Sequence, residues 1–289
     1  MADGGSSSPT TPDDGPVAHT TTNTQVEDVD EPDFVKTDGK RILVLLGGTL
    51  YVAKSWPPTE LALTGSLAIE GQATEMFLDQ DCVVVFSYVS TQELYSGGGA
   101  CLNGCTYYGG NAVKITVVDI ANASEPVVVF QVLLPGQYRS ARRVGSSMRV
   151  ILGDYFCWPS GVSFYVEYHD GMWDDLKWQI AQYEDLKATN RRVIRQTRLA
   201  QWLPTMVRRL EGGGKVDLPD RCTDFYRGNT PVKLAMATVV SLNLNNLSAR
   251  PSRVTVVGGV DEIYANAQSL YLAGRHWWWT SEPGQKSHT

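Results

Sequence analysis

Short apolar runs alternate with polar turns along most of the chain, and this pattern predicts β-strands. One unit, a polar turn followed by an apolar strand, recurs at residues 37–44, 79–86, 144–151 and 265–272. Apolar runs of this length bounded by Gly, Asp, Asn and Ser are typical of strands. The recurrence predicts that one structural unit is used several times.

A second unit also repeats. Residues 115–120 and 238–244 are strand-like, and each runs into a turn that contains Asn and ends in Pro, followed by another β-branched run. Together the two units describe a meander of about four short antiparallel strands, which must stack on like neighbours to bury its core. The fold predicted is mainly β, a β-propeller portion with four-stranded antiparallel blades.

Two stretches interrupt this pattern without adding strands. Residues 1–24 contain Ser, Thr, Pro, Gly and Asp with almost no large apolar side chain. Such a segment cannot bury enough surface to offset its ordering entropy, so we predict a disordered leader, with the propeller portion over 25–289. Residues 90–112 are rich in Gly and predict a long hairpin loop.

A helical insert is predicted within residues 155–232. Residues 173–201 contain no Gly or Pro and are rich in helix-forming side chains. Leu176, Ile180 and Tyr183 follow the i, i+4, i+7 spacing, which predicts one apolar face.

Composition and charge narrow the class of protein. The 289 residues are 43% hydrophobic and 19% charged, as in ordinary globular proteins. There is no apolar run of about 18 residues that would predict a membrane-spanning helix. A net charge of −6 argues against a nucleic-acid-binding protein.

The charge is unevenly distributed. Residues 1–39 carry nine acids and one base, a net of −8, whereas residues 173–215 carry nine bases and five acids, a net of +4. The acidic segment and the basic insert either dock on each other or form two separate solvated surfaces.

Several motifs resemble those of one family. The lead-in at 23–39, Asn-Thr-Gln-Val-Glu-Asp-Val-Asp-Glu-Pro-Asp-Phe-Val-Lys-Thr-Asp-Gly, is the most specific, and shorter matches lie at 75–78, 117–120, 238–242 and 260–265. These resemble the secreted bacterial and archaeal proteins with a C-terminal β-propeller domain distantly related to WD repeats. The resemblance covers the chain from about residue 23 to its end.

The resemblance implies a propeller fold and a secreted or envelope-attached location, but no known activity. Family members usually begin with a signal or lipoprotein leader, and no such leader follows Met1. The family's domain also continues past the position of Thr289. We therefore expect this chain to form the N-terminal portion of a longer propeller.

The five cysteines predict different states. Cys82 lies in an apolar run and is expected to be a buried thiol that forms no disulfide. Cys101 and Cys105 predict a local disulfide, with two unpaired thiols or a metal pair as alternatives. A Cys157–Cys222 disulfide would close the insert and contribute roughly 4 kcal/mol. Both disulfides require an oxidising compartment.

An acidic run is a second metal-site candidate. Asp28, Asp30, Glu31 and Asp33 are weak candidates for binding Ca²⁺, which prefers oxygen ligands. Their spacing is not that of a calcium loop, and Pro32 interrupts them. A solvated acidic lead-in is the preferred interpretation.

Aromatic side chains are concentrated near the end of the chain. His276, Trp277, Trp278 and Trp279 are candidates for stacking on a sugar or a cation. The alternative is that they pack against further blades.

The sequence contains no catalytic motif of the Gly-x-Ser-x-Gly, His-Glu-x-x-His or P-loop type. No catalytic or cofactor-binding residue is assigned, and a binding function is favoured over an enzymatic one. The predicted function is an extracytoplasmic binding or scaffold module at the cell envelope that recognises a protein or polysaccharide. The alternative is a hydrolase or lyase for surface glycans, with carboxylates at the propeller centre.

Overall fold

The structure is a computed structural model. It describes residues 26, 28–90, 111–155, 158, 161–167, 171, 174–198, 205–229 and 235–274. The predicted leader, most of the Gly-rich loop and the residues after 274 lie outside this part of the chain.

The first sheet, blade 1, is an antiparallel meander. Its four strands pair in sequence order: β1 (Val35–Thr37), β2 (Arg41–Leu46), β3 (Thr49–Lys54) and β4 (Ala62–Ala68). Gly47 and Gly48 form the tight β2–β3 turn with φ of 58° and 77°. Two consecutive positive φ values are what this class of two-residue hairpin requires, and glycine adopts them without strain.

Blade 2 contains four consecutive strands and two added ones. The meander is β5 (Gln72–Asp79), β6 (Cys82–Ser90), β7 (Asn111–Asp119) and β8 (Val127–Leu134). Two strands from the insert, here β11 (Met206–Arg209) and β12 (Lys215–Leu218), extend the sheet beyond β8. The insert therefore contributes to the architecture as well as interrupting it.

Blade 3 is split by the insert. Its strands are β9 (Gln137–Val144), β10 (Ser147–Tyr155), β14 (Ala235–Asn243) and β15 (Ser252–Val257), with β13 (Phe225–Arg227) parallel to β15 at the edge. A hairpin of β16 (Glu262–Ala265) and β17 (Leu270–Ala273) follows.

The two sequence repeats correspond to equivalent strands. Each copy of the first repeat ends in the second strand of its blade or hairpin, and these strands are β2, β6, β10 and β17. The second repeat begins at β7 and β14 and makes the same turn in both copies. Asn122 Oδ1 accepts a hydrogen bond from Ser124 Oγ at 2.7 Å, and Asn246 Oδ1 accepts one from Ser248 Oγ at 2.7 Å. The fold class is confirmed as mainly β, with the sheets of a partial propeller.

Blade 2 lies between two apolar cores. Phe77, Phe86 and Ile115 belong to the core shared with blade 3, whereas Met76 and Val85 belong to the core shared with blade 1. Because both faces of blade 2 are covered, β6 and β7 are apolar almost continuously instead of alternating.

One α-helix occurs in the described part of the chain. It is α1 (Leu176–Gln196), shorter than the predicted 173–201. The helix begins after Asp175, whose side chain accepts a 3.0 Å hydrogen bond from the backbone N–H of Trp178. None of the described helices is long and apolar enough to cross a membrane.

Candidate functional site

The acidic lead-in joins the first strands of all three blades. Asp30 forms an antiparallel bridge with Arg143 of β9, and Asp33 forms another with Met76 of β5. The chain then enters β1 at Val35. Val29 is 3% exposed, so the lead-in is anchored by an apolar side chain as well as by backbone hydrogen bonds.

Ion pairs neutralise the lead-in. Asp30 pairs with Lys36 at 2.8 Å and with Arg143 at 3.0 Å, and Glu31 pairs with Arg142 at 3.0 Å. At Asp30 and Glu31, whose side chains are 20% and 24% exposed, the preferred interpretation of a solvated acidic lead-in is therefore wrong. These bases belong to β1 and β9, so Asp30 and Glu31 dock on the blades.

The calcium candidates do not converge on one point. Asp33 Oδ1 accepts a hydrogen bond from the N–H of Phe34 at 2.7 Å, and Asp28 is exposed. Asp30 and Glu31 face bases. Over the described residues, no group of three or more His, Cys, Asp or Glu side chains is arranged to hold a metal ion.

A carboxyl and a phenol meet beside the lead-in. The Tyr138 hydroxyl, on β9, is buried and faces the carboxyl of Glu75, on β5, although the geometry falls short of a well-formed hydrogen bond. Burial raises the pKa of Glu75, and the nearby charge of Asp33 adds to this. Burial and the charge of Glu75 together raise the pKa of Tyr138 far above its usual value.

This pair can hold a proton. A carboxyl whose pKa is raised by burial and by a like charge is a candidate general acid. Arg142 and Lys36 lie close enough to lower the pKa of Glu75 and so partly oppose the shift. The sequence-based interpretation missed Glu75 and Tyr138, because each is an unremarkable polar residue within its own strand.

The predicted apolar face of α1 is exposed. Leu176, Ile180 and Tyr183 are 67%, 55% and 42% exposed, and no residue of α1 is fully buried. The half-buried stripe instead includes Trp178, Gln182, Leu186 and Val193. Both stripes have helical spacing, so periodicity alone does not tell which of them is covered.

The exposed side of α1 is basic as well as apolar. The helix carries five bases and two acids, and Lys187 pairs with Glu184 at 3.0 Å. Arg191, Arg192 and Arg195 are all exposed.

A short neighbouring segment holds α1 in place. The Asn190 side chain donates to the carbonyl of Ser163 at 2.7 Å and accepts from its N–H at 3.2 Å. These two hydrogen bonds join α1 to the segment, and the apolar and basic surfaces of the helix stay exposed.

A buried charge connects the insert to blade 2. Lys114 of β7 is fully buried, and its Nζ lies 2.6 Å from Glu70 Oε2. Arg209 of β11 pairs with the same carboxylate oxygen at 2.5 Å. Burial alone would raise the pKa of Glu70, but the hydrogen bonds from Lys114 and Arg209 lower it. The lysine within an apolar strand was a sequence signal for this interaction.

The two described cysteines form no disulfide in the structure. Cys82 is half-buried, and burial with the charges of Asp79 and Asp119 raises its thiol pKa to about 11. Cys222 is exposed. Its predicted partner lies outside the described residues, so their pairing stays a prediction.

The remaining predicted site residues are also outside the described part of the chain. They are Cys101, Cys105, Cys157, His276, Trp277, Trp278 and Trp279. The local disulfide and the aromatic ligand-stacking site therefore stay predictions.

Comparison with known proteins gives one match. The family described as Beta propeller domain matches residues 19–289, which is most of the chain. Neither a curated protein nor a solved structure matches.

Proposed function

Because the chain belongs to the β-propeller domain family, we propose that it is a binding module of the cell envelope, acting outside the cytoplasm and docking a protein through α1. Propellers present variable segments on a rigid frame, and function resides in those segments. The exposed apolar and basic surface of α1 is the observation that carries this proposal.

The composition of that surface defines the chemistry of the partner. Leu176, Ile180 and Tyr183 form an apolar stripe, which fits an apolar groove on another protein. Arg191 and Arg195 lie beside the stripe and favour acidic residues along the rim of that groove. A polysaccharide would match the arginines but would leave the apolar stripe exposed.

The proposed location rests on the resemblance of the lead-in to that of secreted proteins. Fractionation of the native cells with an antibody to this chain tests it. We expect the protein in the envelope or medium fraction. Recovery in the cytoplasmic fraction alone would contradict an extracytoplasmic function.

Site-specific crosslinking tests the docking surface. A photoreactive amino acid replaces Ile180 in the native host, and the same replacement at Tyr226 is the control. These side chains are similarly exposed, at 55% and 57%, but Tyr226 lies on β13. We expect a discrete crosslinked protein from position 180 only.

The captured protein is then purified and its affinity measured. We expect Ile180→Glu to weaken binding by about tenfold or more, because a charge replaces an apolar contact, while Tyr226→Glu changes it less than about twofold. Equal effects of the two substitutions, or no crosslink specific to position 180, would refute docking through α1.

A glycan-acting hydrolase or lyase is the second candidate. It is supported by the raised pKa of Glu75 beside Asp33 and Tyr138. Incubation with envelope polysaccharides, followed by an assay for new reducing ends, tests it. Product formation that Glu75→Gln abolishes would support this function, and no products from any fraction would exclude it.

A further inference from the structure

A cleft of about 480 Å³ lies where blade 1 meets a turn of blade 2. Its volume is within the range of small-molecule sites. The lining residues of blade 1 come from the start of β2, the end of β3 and the turn into β4, and Ala123 belongs to the turn between β7 and β8.

One wall of the cleft is aromatic and another is polar. Trp56 and Pro57 supply the apolar wall. Lys54 and Glu60 form an ion pair at the rim, where their side chains are 49% and 56% exposed. The Thr64 hydroxyl also lines the cleft and accepts a 3.1 Å hydrogen bond from the N–H of Lys54.

The base of the cleft is rigid. Arg41 pairs with Asp38 and with Asp81 at 2.8 Å each, and it donates to the carbonyl oxygen of Ile120 at 3.2 Å. These contacts tie β2 to two turns of blade 2. A ligand would meet a preformed site and would lose little free energy in ordering it.

The charges around the cleft are largely balanced. Asp38 and Asp81 offset Arg41, and Glu60 offsets Lys54. A simple anion therefore gains little here. The cleft instead offers a donor and an acceptor side by side, in Lys54 and Glu60, together with the apolar surface of Trp56 and Pro57.

We infer that this cleft binds one pyranose unit of a polysaccharide through a pair of vicinal hydroxyl groups. The C–H face of a sugar ring is apolar and packs on an aromatic side chain such as Trp56. Neighbouring hydroxyls each donate and accept, which matches the ammonium of Lys54 and the carboxylate of Glu60. The site is separate from α1 and does not depend on docking there.

Titration calorimetry on the full chain tests this binding. The probes are a cellohexaose and a hexagalacturonate, which share vicinal hydroxyls but differ in charge. We expect millimolar or tighter binding of at least one probe. Stronger binding of the galacturonate would assign the preferred sugar as acidic, and stronger binding of the cellohexaose would assign it as neutral.

Three variants locate the site. Trp56→Ala is expected to weaken binding by about tenfold or more, and Glu60→Gln by about threefold or more, because each removes one of the two contacts. Trp178→Ala is the control, since it removes a tryptophan from α1 and leaves the cleft intact. Glu60→Gln alters an exposed side chain and so preserves the fold.

The results separate this site from the helix surface. Ile180→Glu should bind the sugar as the unmodified chain does. The proposal would be overturned if neither probe bound, or if Trp56→Ala and Glu60→Gln both left the binding unchanged. Neither result bears on whether α1 docks a protein.

Discussion

Asp30 and Arg143 are joined twice, although 113 residues separate them in the chain. Their backbones exchange hydrogen bonds of 2.8 and 3.1 Å, and their side chains form a 3.0 Å ion pair. This contact fixes the lead-in to β9 and so connects the segment before blade 1 to blade 3.

Asp30→Asn is expected to destabilise the fold by about 3 kcal/mol, because it leaves Lys36, whose side chain is 4% exposed, without its carboxylate. The measurement is the free energy of unfolding in urea. Asp28→Asn is the control, since it removes the same charge from an exposed neighbour and should change stability by less than about 0.5 kcal/mol. Equal losses in both variants would show that only net charge matters.

Glu70→Gln is expected to lower the free energy of unfolding by about 2 kcal/mol. This loss is smaller than that expected on breaking a fully buried ion pair, because the Glu70 side chain is 45% exposed. The loss arises because Lys114 stays buried and loses its ion pair with Glu70. Adding Lys114→Met should restore part of the stability, since an apolar side chain of similar length replaces the buried charge. A double variant less stable than Glu70→Gln would contradict this explanation.

Glu75→Gln is expected to stabilise the fold at neutral pH. The pKa of Glu75 is higher in the folded state than in the unfolded state, where it is about 4.5. The stability that this carboxyl contributes is therefore fully present below about pH 4.5 and is lost as the pH rises through the folded-state pKa. The advantage of the variant should therefore grow from about pH 4 to pH 8 in urea unfolding experiments.

Glu70→Gln should show the opposite pH dependence of stability from Glu75→Gln. The pKa of Glu70 is lowered in the fold, so its contribution is present above the unfolded pKa and is lost as pH falls. The deficit of Glu70→Gln should therefore shrink in acid. The same pH trend in both variants would refute the assignment for one of the two carboxyls.

Gly65→Ala is expected to cost about 2–3 kcal/mol, because an added Cβ would overlap the carbonyl oxygen of Ala123 where blades 1 and 2 meet. Thermal and urea unfolding measure the loss. Gly228→Ala is the matched control, since its Cβ would enter open space. A tolerated Gly65→Ala would mean that the two blades can separate at this point.

Cys82 is expected to resist alkylation in the native protein near neutral pH, because a thiol pKa of about 11 leaves little thiolate. Peptide mapping after brief iodoacetamide treatment measures this, with urea-unfolded protein as the control. Rapid labelling of Cys82 in the fold would contradict its half-buried position. The same map made without reductant tests the predicted Cys157–Cys222 disulfide.

The blade strands could be predicted from the repeats, because the residues that indicate each strand lie next to one another in the sequence. Each copy of the first unit carries its own turn and apolar run, and all four copies end in the second strand of a unit. The Asn122 and Asn246 turns were also predictable, since their hydrogen bonds span only two residues. Local propensity and tertiary structure agree at these positions.

The helix shows where local information is insufficient. Periodicity indicated an amphipathic helix but not which stripe is covered. Leu176, Ile180 and Tyr183 satisfy the spacing, as do Trp178, Gln182 and Leu186. The hydrogen bond between Asn190 and Ser163 joins residues 27 positions apart, so helical spacing does not reveal it.

The sequence by itself determined the blades, the Gly-Gly and Asn turns, and the position of the helical insert, because those features depend on residues close together in the chain. The tertiary structure decided the pairing of Asp30 with Arg143, the approach of Glu75 to Tyr138 and the orientation of α1. Each of these depends on which distant strands become neighbours. The energy of a charge or a buried carboxyl depends on those neighbours, and residue type alone does not reveal them.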